Sequence, residues 1–319
     1  MVSESTLDQD DHLKEVEAVK RTLLLVLFAI LLAAPSTLFA QEADAHKGEA
    51  GATLTLAFDT LGEAPAESSV THFSVLLDAM YKVMPQVIVS VDFGFTNTSV
   101  APDQGDSQSD FSISNPVIGG HYIFMDNAGM LAHAGLEIAI PVVSVPDGTT
   151  VQDQIDAAAR EINLGYASGA RGRFGEYMWI PDFLSIIVPV GAEMHFASGL
   201  NAGGELSFVY GIYTGETLEV AGIDLTPENE ADLELALDVS FEAGMVEPGL
   251  RYTLVARLTA EDTENAAQMA IEPFVKAKFG PGFGRLGFLM SLDKPLGFAF
   301  GSEPDKGIWA INIGGGANF

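Results

Sequence analysis

Residues 231–242 constrain the chain most. Leu233, Leu235, Leu237, Val239 and Phe241 alternate there with Asp232, Glu234, Ala236, Asp238, Ser240 and Glu242. Successive side chains on a β-strand point to opposite faces, so this segment has one apolar face and one acidic face. A helix, with a period of 3.6, would mix the two sets. The segment is therefore a strand between an apolar medium and a polar one.

The pattern recurs. Val87, Val89, Val91, Phe93 and Phe95 alternate with Ser90, Asp92 and Thr96, and Leu206, Phe208, Tyr210 and Ile212 with Glu205, Ser207 and Gly211. The same spacing sets Leu250, Tyr252 and Leu254 against Arg251 and Thr253, and Leu286, Phe288 and Met290 against Arg285, Gly287 and Ser291. About twelve strands result: 51–60, 70–83, 87–97, 111–125, 128–142, 183–197, 201–214, 231–243, 248–260, 268–279, 284–293 and 307–319. Tight turns are expected at 84–86, 126–128, 198–201, 247–248 and 280–282, with longer polar loops between them. Many of these strands are about twice the usual length of about 5–6 residues in soluble proteins. Alternation alone does not say which face is inside: a soluble sandwich or a lipocalin-like barrel buries the apolar one.

The N-terminus selects between these readings. Lys20 and Arg21 precede an apolar run, Thr22–Ala34, followed by Pro35, Ser36 and a small-residue exit at Ala40. This is the layout of a cleaved secretory signal, with a second candidate cleavage site at 43–45. The run is short for a retained membrane anchor, which needs about 20 residues. The expected organisation is residues 1–40 as an N-terminal extension plus signal, 41–50 as a short lead, and 51–319 as one domain.

The C-terminus carries a second signature. Trp309, Ile311, Ile313, Gly315, Ala317 and Phe319 share one parity, and the sequence ends on Phe319. This strand resembles the terminal strand of the bacterial outer-membrane β-barrel superfamily, including its porin-like channels; no narrower family is indicated. The resemblance implies an all-β fold, a transmembrane antiparallel up-and-down barrel with short periplasmic turns and long extracellular loops. It also implies location in the bacterial outer membrane, contact with its lipid and lipopolysaccharide, and recognition by the barrel-assembly machinery through the last strand, with Phe319 as the signal. The apolar faces then look out at lipid and the polar faces inward.

Composition narrows the function. The chain has 44 Asp+Glu against 15 Lys+Arg and no cluster of cations, which argues against nucleic acid. It has no Cys, so disulfides and Cys-ligated metals are excluded. His72, His121, His133 and His195 fall in strands without metal-site spacing. Acidic stretches at Asp103–Asp110 and Glu261–Glu264 do not match a calcium loop and read as solvated. No cofactor is expected. No nucleophile motif such as G-x-S-x-G occurs, and an enzyme is not expected.

The inward face is instead rich in charge. Asp232, Glu234, Asp238, Glu242, Arg251, Arg257, Lys276, Glu193 and Glu205 are the candidate pore-lining residues. The longest loop, 143–182, carries a short Ala-rich helix near 151–162 and three arginines, Arg160, Arg171 and Arg173. The expectation is that this loop folds into or across the mouth, with the arginines facing the acidic wall of 232–242. Tyr177 and Trp179 are expected at the lipid headgroups, as belt aromatics. The function that follows is a channel for passive diffusion of small polar or cationic solutes, with the cation preference weakened if the loop arginines enter the lumen. The alternative is a closed structural or adhesin-like barrel that works through its loops.

Overall fold

The computed structural model describes residues 47–61, 68–103, 105–127, 129–146, 150–216, 219–220, 223–224, 226–260, 267–292 and 309–319. The signal, the lead as far as residue 46 and the acidic stretch 261–264 lie outside these residues.

The strands are β1 (Gly48–Leu61), β2 (Ser68–Met84), β3 (Val87–Pro102), β4 (Gln108–Ile113), β5 (Val117–Asn127), β6 (Met130–Ala139), β7 (Phe183–His195), β8 (Leu200–Tyr213), β9 (Glu219–Val220), β10 (Ile223–Asp224), β11 (Glu230–Phe241), β12 (Val246–Arg257), β13 (Ala267–Phe279), β14 (Gly282–Ser291) and β15 (Trp309–Asn318). Strands β9 and β10 pair only with each other. All others form one antiparallel sheet in meander order. The sheet closes at the seam between first and last strands, where Leu54 opposes Ile313 and Ala57 opposes Ala310. Backbone amides of Lys47 and Gly48 donate to the carbonyl of Phe319 and tie off that seam.

Strands β4 and β5 both pair with β3, one above the other. They occupy one position in the wall, so the barrel has the expected twelve. The expected strand 111–125 is broken at Ser114, Asn115 and Pro116. Pro116 has no amide to donate to a ladder.

Side-chain exposure confirms the orientation. Leu237 and Val239, on the outward parity of β11, are 44% and 50% exposed, whereas Glu234 on the inward parity is 1% exposed. Phe288 and Val190 likewise face out, while Gln268, Thr96 and His72 are buried inside. A soluble sandwich would reverse this arrangement. No helix among the described residues is long and apolar enough to cross a membrane. Closure of the strand wall between β1 and β15 leaves no open sheet edge there.

The short turns gather at the end that holds Lys47 and Phe319. One of them differs from expectation. The turn between β11 and β12 is centred on Gly244, whose φ of 68° is a left-handed conformation that favours glycine. Ala243 and Val246 bridge across it. Pro248, expected in this turn, lies inside β12 with its ring outward.

Candidate functional site

The loop between β6 and β7 folds into the barrel. It begins with α1 (Val151–Gly169), capped by reciprocal bonds between Thr150 and Asp153. The helix runs seven residues beyond the expected 162, and that added part, Asn163–Gly169, is its buried part. Gly165 and Gly169 are poor helix formers, so packing rather than propensity holds this end.

The contacts of residues 163–179 place them inside. Asn163 accepts from the hydroxyls of Thr96 and Thr98 on β3 and donates to Asp110 on β4. Tyr166 Oη donates to Asp59 on β1 at 2.6 Å, and its ring stacks on His72 of β2. Ala170 is buried with Ala57, Ala270, Leu289 and Ala310, from β1, β13, β14 and β15. The amide of Gly175 donates to Glu234 on β11. Glu176 receives Arg257 of β12 at 2.6 Å and Arg173 at 3.2 Å. A segment that touches strands around the whole circumference is enclosed by them.

Trp179 and Tyr177 are not belt aromatics. Trp179 is 2% exposed and packs with Met178, Leu164, Ile187 and Val209, with Tyr177 against the same cluster. The inward course of the chain carries both rings away from lipid. A residue that sequence reasoning passed over fixes that course. Asn115, fully buried in the break between β4 and β5, accepts from the amides of Val142 and Val143 and donates to the carbonyls of Tyr177 and Ile180. It thereby staples the entry of the loop to its exit. Its backbone amide donates to Met178 as well.

The three loop arginines separate. Arg160 does not face the wall of 232–242; it pairs with Asp110 at 2.8 Å and donates to the carbonyl of Ser144, near the outer end of the barrel. Arg173 is buried beside Glu176, close to Asp232 and Glu230. Arg171 lies deeper and lines a lumenal cavity of about 230 Å³ with Arg251 and Arg285. Burial pulls both Arg171 and Arg173 below the ordinary guanidinium value, Arg173 to about 10.

Of the expected pore-lining residues, Asp232, Glu234, Asp238, Arg251, Arg257, Lys276, Glu193 and Glu205 fall on the inward parity of their strands. Asp232 and Arg257 form one ion-pair group with Glu230 and Glu176. Glu242 lies just past the end of β11 and pairs with Lys278 at the rim, because the turn there begins earlier than expected. The charges segregate around the ring. Asp78 faces Asp92 across β2 and β3, while Lys276 faces Arg285 across β13 and β14. His121 and His133 lie 5.4 Å apart, and His121 bonds Glu137 at 2.9 Å.

No family model and no curated protein matches the sequence. Solved structures do. An outer-membrane channel from Pseudomonas putida F1 aligns over 90% of this chain and all of its own, with TM-score 0.55 and 8% identity. The translocator domain of the autotransporter NalP from Neisseria meningitidis aligns over 97% of this chain and 98% of its own, with TM-score 0.45 and 11% identity. The NanC porin aligns over 83% and 100%, with TM-score 0.48 and 7% identity. The chain thus has the fold of a bacterial outer-membrane β-barrel. Within that class it is a twelve-position barrel whose longest loop is folded into its lumen.

Proposed function

We propose that this protein is an outer-membrane channel through which small polar solutes diffuse, narrowed by the inward-folded loop. The observation that carries the reading is the cavity of about 230 Å³ inside the barrel, lined by charged and hydroxylic side chains such as Arg171, Arg251, Glu272 and Thr55. A barrel serving only as a scaffold has no need to keep hydrated charge at its centre, where desolvation is costly. The condition that weakens a cation preference is met, since Arg171 and Arg173 both lie in the lumen. Reconstitution of the full-length mature chain into planar bilayers tests the reading: discrete conductance steps are expected, and a folded barrel that never conducts would overturn it.

The closed-barrel alternative has one observation in its favour. The loop is fastened to strands on every side, through Asp59, Thr98, Glu234 and Arg257. A channel of this kind conducts around or beneath the loop, or when the loop yields.

A further inference from the structure

The lumenal cavity has an imbalance of charge and of hydrogen bonds. Three guanidinium groups line it, from Arg171 on the loop, Arg251 on β12 and Arg285 on β14, against one carboxylate, Glu272 on β13. That carboxylate is already engaged: its Oε2 accepts from Arg285 Nη2 at 3.0 Å and its Oε1 from Asn312 Nδ2 at 3.1 Å. The lining thus holds two more guanidinium groups than carboxylates, with Asp238 opposite Arg251 on β11 just beyond it. Asp78, Asp92 and Glu234 feel Arg171 through space, but none accepts from its Nη1.

The donors tell the same story. Arg171 Nη1, Arg285 Nε and Thr253 Oγ1 are all buried without a protein partner, and all three residues line this one cavity. Buried donors are rarely left unpaired, because they lose their hydration with nothing in return, most of all when charged. Two of the guanidinium groups lie over aromatic rings. Arg251 Cζ lies 5.0 Å from the centroid of Phe174, and Arg285 Cζ lies 4.3 Å from that of Phe274. A ring beneath a guanidinium attracts its charge without taking up its N–H donors.

We propose that this cavity is a binding station for a small oxyanion, a carboxylate or a phosphate, on the path through the barrel. The inference rests on the channel reading for its place on a path, but the site itself does not depend on conduction. Charge selects an anion, and the number of convergent donors selects one with several acceptor oxygens. The volume, against about 30 Å³ for a water molecule in the liquid, admits a phosphate ion or a carboxylate of a few carbons and excludes drug-sized ligands. Such a station sits inside a chain of formal net charge -29, so bulk charge is a poor guide to what it admits.

The test uses the refolded full-length mature barrel in detergent, titrated calorimetrically with sodium phosphate, sodium succinate and, as control, choline chloride at matched ionic strength. Saturable binding of phosphate or succinate is expected, with affinity lowered about tenfold or more in Arg171→Gln and partly retained in Arg171→Lys, which keeps charge but loses the fork. Should Arg171→Gln fail to fold, Arg251→Gln serves the same purpose. Absence of saturable binding, or equal binding by wild type and both glutamine variants, overturns the proposal. Bilayer recording separates it from the channel reading: conduction without anion binding sinks the station alone, and anion binding without conduction sinks the channel alone.

Discussion

Glu176, on the inward-folded loop, and Arg257, on the wall of β12, lie 2.6 Å apart between Oε1 and Nη2, and the same guanidinium holds Asp232 and Glu230 at 3.1 Å each. One wall cation thus answers three carboxylates, one of which belongs to the loop. Arg257→Ala is expected to leave those carboxylates facing one another and to cost about 3–5 kcal/mol, as removal of one partner from a largely buried pair does. The loop should loosen there, and bilayer recordings should show higher conductance or longer open events. Conductance and protease resistance identical to wild type would show that this contact does not hold the loop.

Asn115 makes four side-chain hydrogen bonds to the two roots of the loop. At about 0.5–1.5 kcal/mol net for each bond, Asn115→Ala should cost about 2–6 kcal/mol locally. Faster hydrogen exchange is expected at the amides of Val142 and Val143, while the β1–β15 seam keeps its protection. Uniform protection throughout would remove the staple from the account.

Gly94 on β3 gives the indole of Trp179 its room. A Cβ added there would lie 2.9 Å from both Trp179 Cη2 and the carbonyl of Val75. Gly94→Val is expected to push the ring out of its cluster at a cost of about 1–3 kcal/mol, typical of an overpacked interior. The chain has two tryptophans, so Trp309→Phe is the background in which to read the result. Emission from Trp179 should move to longer wavelength as the ring meets water; an unchanged spectrum would contradict the packing.

Leu237 lies near the middle of β11 on the lipid side, 44% exposed. Leu237→Arg should destabilise the folded barrel by about 2–4 kcal/mol if that position is near the bilayer midplane. Its neighbour Asp238→Asn, on the opposite face, should leave denaturant unfolding in vesicles nearly unchanged. Reversal of these two effects would invert the orientation of the barrel.

The wall was legible because a period of two in sequence becomes two faces in space, so Leu233 through Phe241 declared the strand, while the signatures at the two ends of the sequence indicated the medium. The site was legible only in part. The loop's entry into the lumen could be anticipated from its length and its arginines, but not its path. Its buried end, Asn163–Gly169, has the propensity of a turn, with Gly165, Ser168 and Gly169; it is helical because small residues fit the narrow interior. That density of small residues was the available clue. Tyr177 and Trp179 carry no mark that separates a headgroup aromatic from a packed one, since both demand an apolar body with a polar edge. Asn115–Pro116, an Asn-Pro pair within a strand pattern, was a turn signal that pointed to the break. Arg171 could be recognised as a lumen candidate, yet its convergence with Arg251 and Arg285 joins positions up to 114 residues apart, which spacing alone does not reveal.

The bond between Tyr166 and Asp59 spans 107 residues and ends on the strand that later meets the C-terminal one. Once that last junction is zipped, a helix and its tail have no lateral doorway by which to enter. An insert enclosed in this way leaves along the axis, through the mouth, and not between the staves.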